Sequence, residues 1–248
     1  MATSLTENTE KPKEQFAETQ RKDIWWLEPA VYFVGLGFFL VYATWAAFQG
    51  KNYESGPYLS PFYSPLILVS WWKFSPAFLI LWIPAGFRTT CYYYRKAYYR
   101  SFFMDPPACA VSEGCKKYTG ETSFPLIFQN IHRYFLLGAS VLLFFLWHDV
   151  IKAFNFNGQF GIGLGTLVLF ANTFLLTMYS LSCHSLRHLI GGYKDSFKCS
   201  YQYDSYKAVS CLNEHHMFWS WTSLFMVGFA DFYVRMLAIG VWTDIRLL

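Results

Sequence analysis

The sequence predicts an all-α integral membrane protein, a bundle of five transmembrane helices. Three observations carry this. Hydrophobic residues make up 54% of the 248 and aromatic residues 22%. Charged residues make up 15%, against about 25% in an ordinary soluble domain. Apolar runs recur at lengths near the ~20 residues that cross a bilayer, separated by polar or turn-forming stretches. No repeat, low-complexity tract or nucleic-acid motif is present, so the expected surroundings are lipid and protein, with no nucleic acid. No short apolar core near Met1 marks a cleaved signal, and the first apolar run is expected to persist as a helix.

Residues 1–27 read as a polar cytoplasmic arm, and residues 28–248 as the membrane domain. The arm ends in RKDIWWLEP, where Trp25 and Trp26 suit an interfacial aromatic belt and Pro29 suits a first helical turn. The first predicted helix covers about 28–48 and is free of charge from Ala30 to Phe48. Residues 49–64 are rich in turn formers. The second helix covers about 65–91. It contains Pro76 and Pro84, which predict a bend, and Lys73, which must face protein or water at that depth. Residues 88–123 are basic and tyrosine-rich, the pattern of an amphipathic segment at the headgroups. The third helix covers about 124–153, with His132 and Arg133 near its start and His148 and Asp149 near its end. The fourth covers about 160–189, with Asn172 inside it and Gly191-Gly192 as its stop. The fifth covers about 213–242, with Asp231 and Arg235 one turn apart, a spacing that lets them neutralise each other.

This topology places 14 of the 20 Lys and Arg on one side, against Lys51, Lys152 and Arg246 on the other. The positive-inside rule then makes the N-terminus cytoplasmic. Cys91, Cys109, Cys115, Cys183, Cys199 and Cys211 all fall at or near the cytoplasmic face, where thiols or metal thiolates are expected in place of disulfides.

The same topology brings a belt of chemistry-bearing residues to one depth. Cys91, His132, Cys183, His184, His188, His215 and His216 fall within about 10–12 Å of one membrane face at 1.5 Å per residue. Taken singly, a buried histidine is ordinarily hydrogen-bonded core and a helical cysteine a small apolar filler. Five histidines with two cysteines at one depth point to a metal or redox site, since polar groups inside membranes are expensive. Three metal readings compete. Haem b needs two facing imidazoles, such as His132 with His216 or His188 with His132; the absence of histidine from the first two helices excludes a two-haem arrangement. A membrane di-iron histidine-box oxygenase would use His184-x-x-x-His188 and His215-His216, but the face holds too few histidines for three boxes. A Rieske-type [2Fe–2S] cluster takes two cysteines and two histidines. Helices two to five offer Cys91, His132, Cys183 and one of His215 and His216. Ser220, Ser223 and Asp231 lie within about 60° of His216 at 100° per residue, so that side faces the bundle and favours His216. Cys211, four residues before His215, stays open as an alternative to Cys183.

With these residues in this layout, the chain resembles the cytochrome b-type membrane anchor of bacterial succinate dehydrogenase/fumarate reductase, respiratory complex II. More narrowly, it resembles the variant that carries a Rieske-type [2Fe–2S] cluster in the membrane in place of haem. The order Cys91, His132, Cys183, His216 is similar to that variant's two-Cys, two-His ligation. The resemblance implies a multi-pass protein of the bacterial inner (plasma) membrane. Its partners would be a flavoprotein subunit that oxidises succinate and an iron–sulfur subunit that passes electrons inward; a higher oligomer of the complex is left open. The anchor would dock both on its cytoplasmic face, through the arm and the basic loop after the second helix, and reduce quinone or menaquinone. Arg133, His188 and Trp219 lie near the proposed cluster and are the candidate quinone-binding residues.

Overall fold

The protein, described here as a computed structural model, is resolved in detail for residues 15–113, 122–124, 126–156, 158–192, 194–197 and 199–248. Cys115, Lys11, Lys13, Lys116, Lys117 and Lys198 lie outside these. Helix makes up 63% of the chain, and the only strand pairs among the described residues are two two-residue hairpins, so the all-α class holds. Among the described residues, three helices are long and apolar enough to cross a membrane: Leu27–Gln49, Ile127–Lys152 and Leu164–Leu181.

Helix α1 (Leu27–Gln49) has Glu28 in its first turn, facing the positive end of the helix dipole. It ends at Gly50 with φ 59°, the left-handed conformation that glycine adopts freely. Only four of its 23 residues are buried. Val31, Val34, Phe38, Val41 and Phe48 point outward, an apolar face that a helix satisfying its own backbone can present to lipid.

The second predicted helix differs from the structure. Residues 66–75 form an irregular loop that exposes Leu68, Trp71 and Phe74. A 3₁₀ turn follows at Pro76–Leu79, then α2 (Trp82–Thr89). The prolines explain this. Proline lacks an N–H and is tolerated in a first turn, so Pro76 and Pro84 start short helices in place of bending a long one. Lys73 is accordingly exposed on the loop. After Cys91 the chain resumes as α3 (Tyr92–Tyr98) and a π-helical turn, Tyr99–Phe103.

The third span enters through a 3₁₀ turn (Leu126–Ile131) and becomes α4 (His132–Lys152). Glycine at position 86 lets α2 pack closely on α4: a Cβ there would overlap the Phe135 ring. The fourth predicted helix, 160–189, is two helices in the structure: α5 (Leu164–Leu181) and α6 (His184–Gly191), with a break at Ser182-Cys183. The start of the fifth is likewise divided. An α7 helix (Ser200–Glu214) packs on α6, and after His215 the chain turns into α8 (His216–Ala238).

α8 is the inner helix. Eleven of its 23 residues are buried, and it packs along α5 and against α1. Near its far end, Asp231 accepts hydrogen bonds from Tyr42 (2.7 Å), Ser60 and Arg235 Nε (2.7 Å). Arg235 also donates to the carbonyls of Ala46 (2.9 Å) and Lys51 (3.0 Å). The pair is 0% and 3% exposed, so the neutralisation expected from its spacing occurs, in a network that also ties α1 and the 50–64 loop to α8.

Candidate redox site at the helix breaks

The two breaks build the site. Cys91 sits between α2 and α3 with extended backbone (φ −68°, ψ 129°), and Cys183 sits between α5 and α6 in nearly the same conformation (φ −65°, ψ 135°). His132 is the first residue of α4 and His216 the first of α8. All four side chains are buried: Cys91 is 3% exposed, Cys183 1%, His132 9% and His216 1%.

They meet as two pairs. His132 Nε2 lies 3.2 Å from Cys183 Sγ, and His216 Nε2 lies 3.4 Å from Cys91 Sγ. The residue before each cysteine then holds a histidine. Thr90 gives its hydroxyl proton to the Gly86 carbonyl at 2.6 Å, so toward His132 Nδ1, 2.8 Å away, it can only accept. Ser182 gives its proton to the Tyr179 carbonyl at 2.9 Å and accepts from His216 Nδ1 at 2.6 Å. A hydroxyl has one proton to donate, so both imidazoles carry their proton on Nδ1 and turn an Nε2 lone pair toward a sulfur.

Aromatic rings close the site to water. Phe87 stacks on His132 at 4.8 Å, and Tyr179 and Tyr93 cover His216 at 5.1 and 4.9 Å. Among the described residues, no three His, Cys, Asp or Glu side chains are arranged to hold a single metal ion. The donor set is instead two thiols and two Nε2 lone pairs, each imidazole oriented by a hydroxyl, as second-shell partners orient metal-binding histidines. These residues fit a two-Cys, two-His group.

A family model described as actinobacterial succinate dehydrogenase subunit SdhC matches residues 27–240. The chain belongs to this family. It is therefore a membrane-embedded anchor subunit of a succinate dehydrogenase complex. Among solved structures, it is similar to a chain of the Mycobacterium smegmatis Sdh1 complex in the apo form, with 42% identity and a TM-score of 0.88 over 96% of this chain and 97% of that one. No curated protein matches it.

Cys183 and His216 face the other donors, whereas Cys211 and His215 are exposed, with His215 Nδ1 turned to the Cys211 carbonyl. His184 is also exposed. Arg133 and His188 are exposed, and Trp219 is half-buried with no partner for Nε1 among the described residues.

Sequence reasoning missed Thr90, Ser182 and Arg88. A signal for the first two was present: a hydroxyl residue immediately precedes each buried cysteine. Arg88, counted from sequence with the loop cations, is half-buried in the last turn of α2. It donates to Tyr94 Oη (2.7 Å), the Ser220 carbonyl (3.1 Å) and Ser223 Oγ (3.0 Å).

The arm and the loop after the π-helical turn are joined. Ala17 N–H bonds to the Ser112 carbonyl and Ser112 N–H to the Glu18 carbonyl, both at 3.0 Å. Arg21 donates to the Cys109 carbonyl at 2.9 Å. Arg21 is also hydrogen-bonded to exposed Asp23 and holds that carboxyl below its usual range.

Proposed function

We propose that this anchor carries electrons from the iron–sulfur subunit of its complex to quinone through a membrane-embedded [2Fe–2S] cluster held by Cys91, Cys183, His132 and His216. In this reading α1, α2 with its preceding 3₁₀ turn, α4, α5 and α8 are the five crossings. The positive-inside count puts the N-terminus in the cytoplasm. The clamped arm and basic loop then form the face on which the flavoprotein and iron–sulfur subunits dock. Oxidation of succinate to fumarate yields two electrons and two protons, and reduction of quinone to quinol consumes two of each.

The observation that carries the reading is the pair of buried Cys–His contacts with both Nδ1 positions tied back. The cluster, when bound, supplies one-electron relay chemistry. Thr90 and Ser182 hold the imidazoles with Nε2 toward the thiols. Phe87, Tyr93 and Tyr179 exclude water. An arriving electron brings negative charge, and the N-terminal ends of α4, α6 and α8 together with the Arg88 guanidinium favour it. Haem b is served less well. Each imidazole Nε2 is closed against a sulfur, and the bundle's cavity of about 600 Å³ touches neither ring.

The test is iron and acid-labile sulfide analysis of the purified complex, with EPR of the reduced state. A low-g Rieske-like signal is expected. Cys91→Ser should remove the signal and quinone reduction while succinate still reduces a soluble dye. A reduced b-type Soret and α band with no such EPR signal would replace the cluster by haem.

A further inference from the structure

We infer that the junction of α3 with the start of α4 binds the phosphate of an anionic phospholipid of the inner leaflet, through Arg133, Lys96 and Arg95. The inference concerns the outer surface of the bundle and stands apart from the redox reading. It begins with a cation in an expensive place. The third apolar span starts at Ile127, and Arg133 lies inside it. The steps from Ile127 to Ile131 follow the 3₁₀ turn, at about 2.0 Å each, and the next two enter α4, at about 1.5 Å each. Arg133 is therefore ~11 Å from the start of the span. It is exposed, and so are the apolar residues around it, Phe128, Ile131, Tyr134 and Leu137. A charged side chain on a lipid-facing surface at that depth is costly unless it meets a partner or reaches the interface. Arg133 lies 5.9 Å from the Tyr134 ring and forms no ion pair among the described residues.

Two more cations approach from α3. Tyr92, Arg95, Lys96 and Tyr99 recur at helical spacing and share one face. Arg95 lies over the Tyr92 ring at 5.0 Å and the Tyr99 ring at 5.8 Å. Its Nη1 donates to Gln129 Oε1 at 2.8 Å, a bond that ties α3 to the 3₁₀ turn. Gln129 precedes Arg133 by one turn, so the same bond brings Arg95 and its exposed neighbour Lys96 to the flank of Arg133. The stretches that carry these three cations, 55–104 and 122–148, contain no Asp or Glu. Their elements supply no counter-charge of their own.

The chemistry of the surface selects the occupant. A guanidinium matches two phosphate oxygens in a fork, and a lysine ammonium adds a point charge. Beyond the cations, toward the middle of the span, the exposed surface is Tyr134 and Leu137. A phospholipid presents phosphate and then hydrocarbon in that order along the membrane normal. A soluble acid presents only the first. Three cations repel the ammonium of a zwitterionic headgroup, so a lipid with net negative charge fits best. The positive-inside count puts this end at the cytoplasmic leaflet, whose anionic lipids attract basic segments beside a span. Arg133 does not line the bundle's cavity.

The experiment uses the purified complex, stripped of lipid by detergent exchange and titrated with phosphatidylglycerol or phosphatidylcholine in mixed micelles. Native mass spectrometry reads the lipids retained. Phosphatidylglycerol should be retained at least fivefold more tightly than phosphatidylcholine. Arg133→Gln with Lys96→Gln should abolish that preference, and Arg133→Lys should keep most of it. Lys73→Gln, an exposed cation on the 66–75 loop, should leave it unchanged. If the double variant fails to assemble, Lys96→Gln alone should lower the preference at least twofold. Equal retention of the two lipids by wild type, or an unchanged preference in the variants, would overturn the inference. So would release of the flavoprotein and iron–sulfur subunits from the double variant with phosphatidylglycerol still held, which would assign these cations to subunit docking. No redox signal enters the readout, so absence of a cluster would leave the result standing.

Discussion

Replacing Ser182 with alanine removes the side-chain oxygen that accepts the His216 Nδ1 proton across a 2.6 Å bond and leaves the weaker contact with the Ser182 backbone. Ser182 is 0% and His216 1% exposed, so water does not replace the lost partner. A buried N–H left without an acceptor destabilises by about 1–3 kcal/mol. At 1.4 kcal/mol per tenfold, that is roughly a 5- to 140-fold loss of affinity for the proposed cluster, in line with the about 10–100-fold typical of changes to groups that orient metal ligands. The lost proton acceptor also lets His216 adopt the other tautomer, which turns an N–H toward Cys91. The assay is retention of iron in the purified complex across a chelator series, read together with the reduced EPR signal. Thr90→Ala should act in the same way through His132, and Thr90→Ser, which keeps the hydroxyl, should stay within about threefold of wild type. Co-purification of the partner subunits controls for folding. Wild-type iron retention in both alanine variants would refute the reasoning.

Three further outcomes follow from the packing. Arg235→Leu leaves Asp231 buried without its cation and should destabilise the protein by about 3–5 kcal/mol, measured by unfolding in detergent; adding Asp231→Asn should recover part of the loss. Gly86→Ala drives a methyl group into the Phe135 ring and should destabilise by about 1–3 kcal/mol, with Phe135→Leu in the same chain relieving it. Tyr58 lies in the hairpin before the 3₁₀ turns; its burial and its hydrogen bond to Asp244 push its pKa up from 10.0 to about 12. A raised folded-state value means that the contribution of Tyr58 is complete below pH 10 and is lost as pH rises through about 12. Thermal unfolding should therefore fall across that window, and Tyr58→Phe should flatten the fall.

The apolar runs were legible because length and the absence of charge set them. The first predicted helix, 28–48, differs from Leu27–Gln49 by one residue at each end, and 124–153 contains the span Ile127–Lys152. The second predicted helix was not legible as drawn. Hydropathy continues through 65–75, but Pro76 and Pro84 each begin a new turn. The break at Ser182-Cys183 left no local mark either. The sequence SLSCHSLRH has no proline or glycine, and the chain turns there because Ser182 bonds to the Tyr179 carbonyl and to His216 from another helix. For the site, sequence gave depth and not direction. Depth alone brought Cys91, His132, Cys183 and His216 to one level and also admitted His184, His188 and His215, which face outward. Arg88 was passed over because a cation flanking an apolar run reads as a topology marker.

The two breaks also set an order of assembly. His132 and its hydroxyl, Thr90, come from the stretch α1 to α4, yet His132 faces Cys183 in the stretch α5 to α8. His216 and its hydroxyl, Ser182, come from the stretch α5 to α8, yet His216 faces Cys91 in the stretch α1 to α4. Each orienting bond forms within one stretch, and each donor pair closes between the two. A growing chain that has inserted α1 to α6 holds one closed pair and a solitary thiol at Cys91. The second pair waits for His216, at the entry of the last helix. If the four residues hold the proposed cluster, its loading follows completion of the chain, and a product truncated before α8 would lack the last of the four donors.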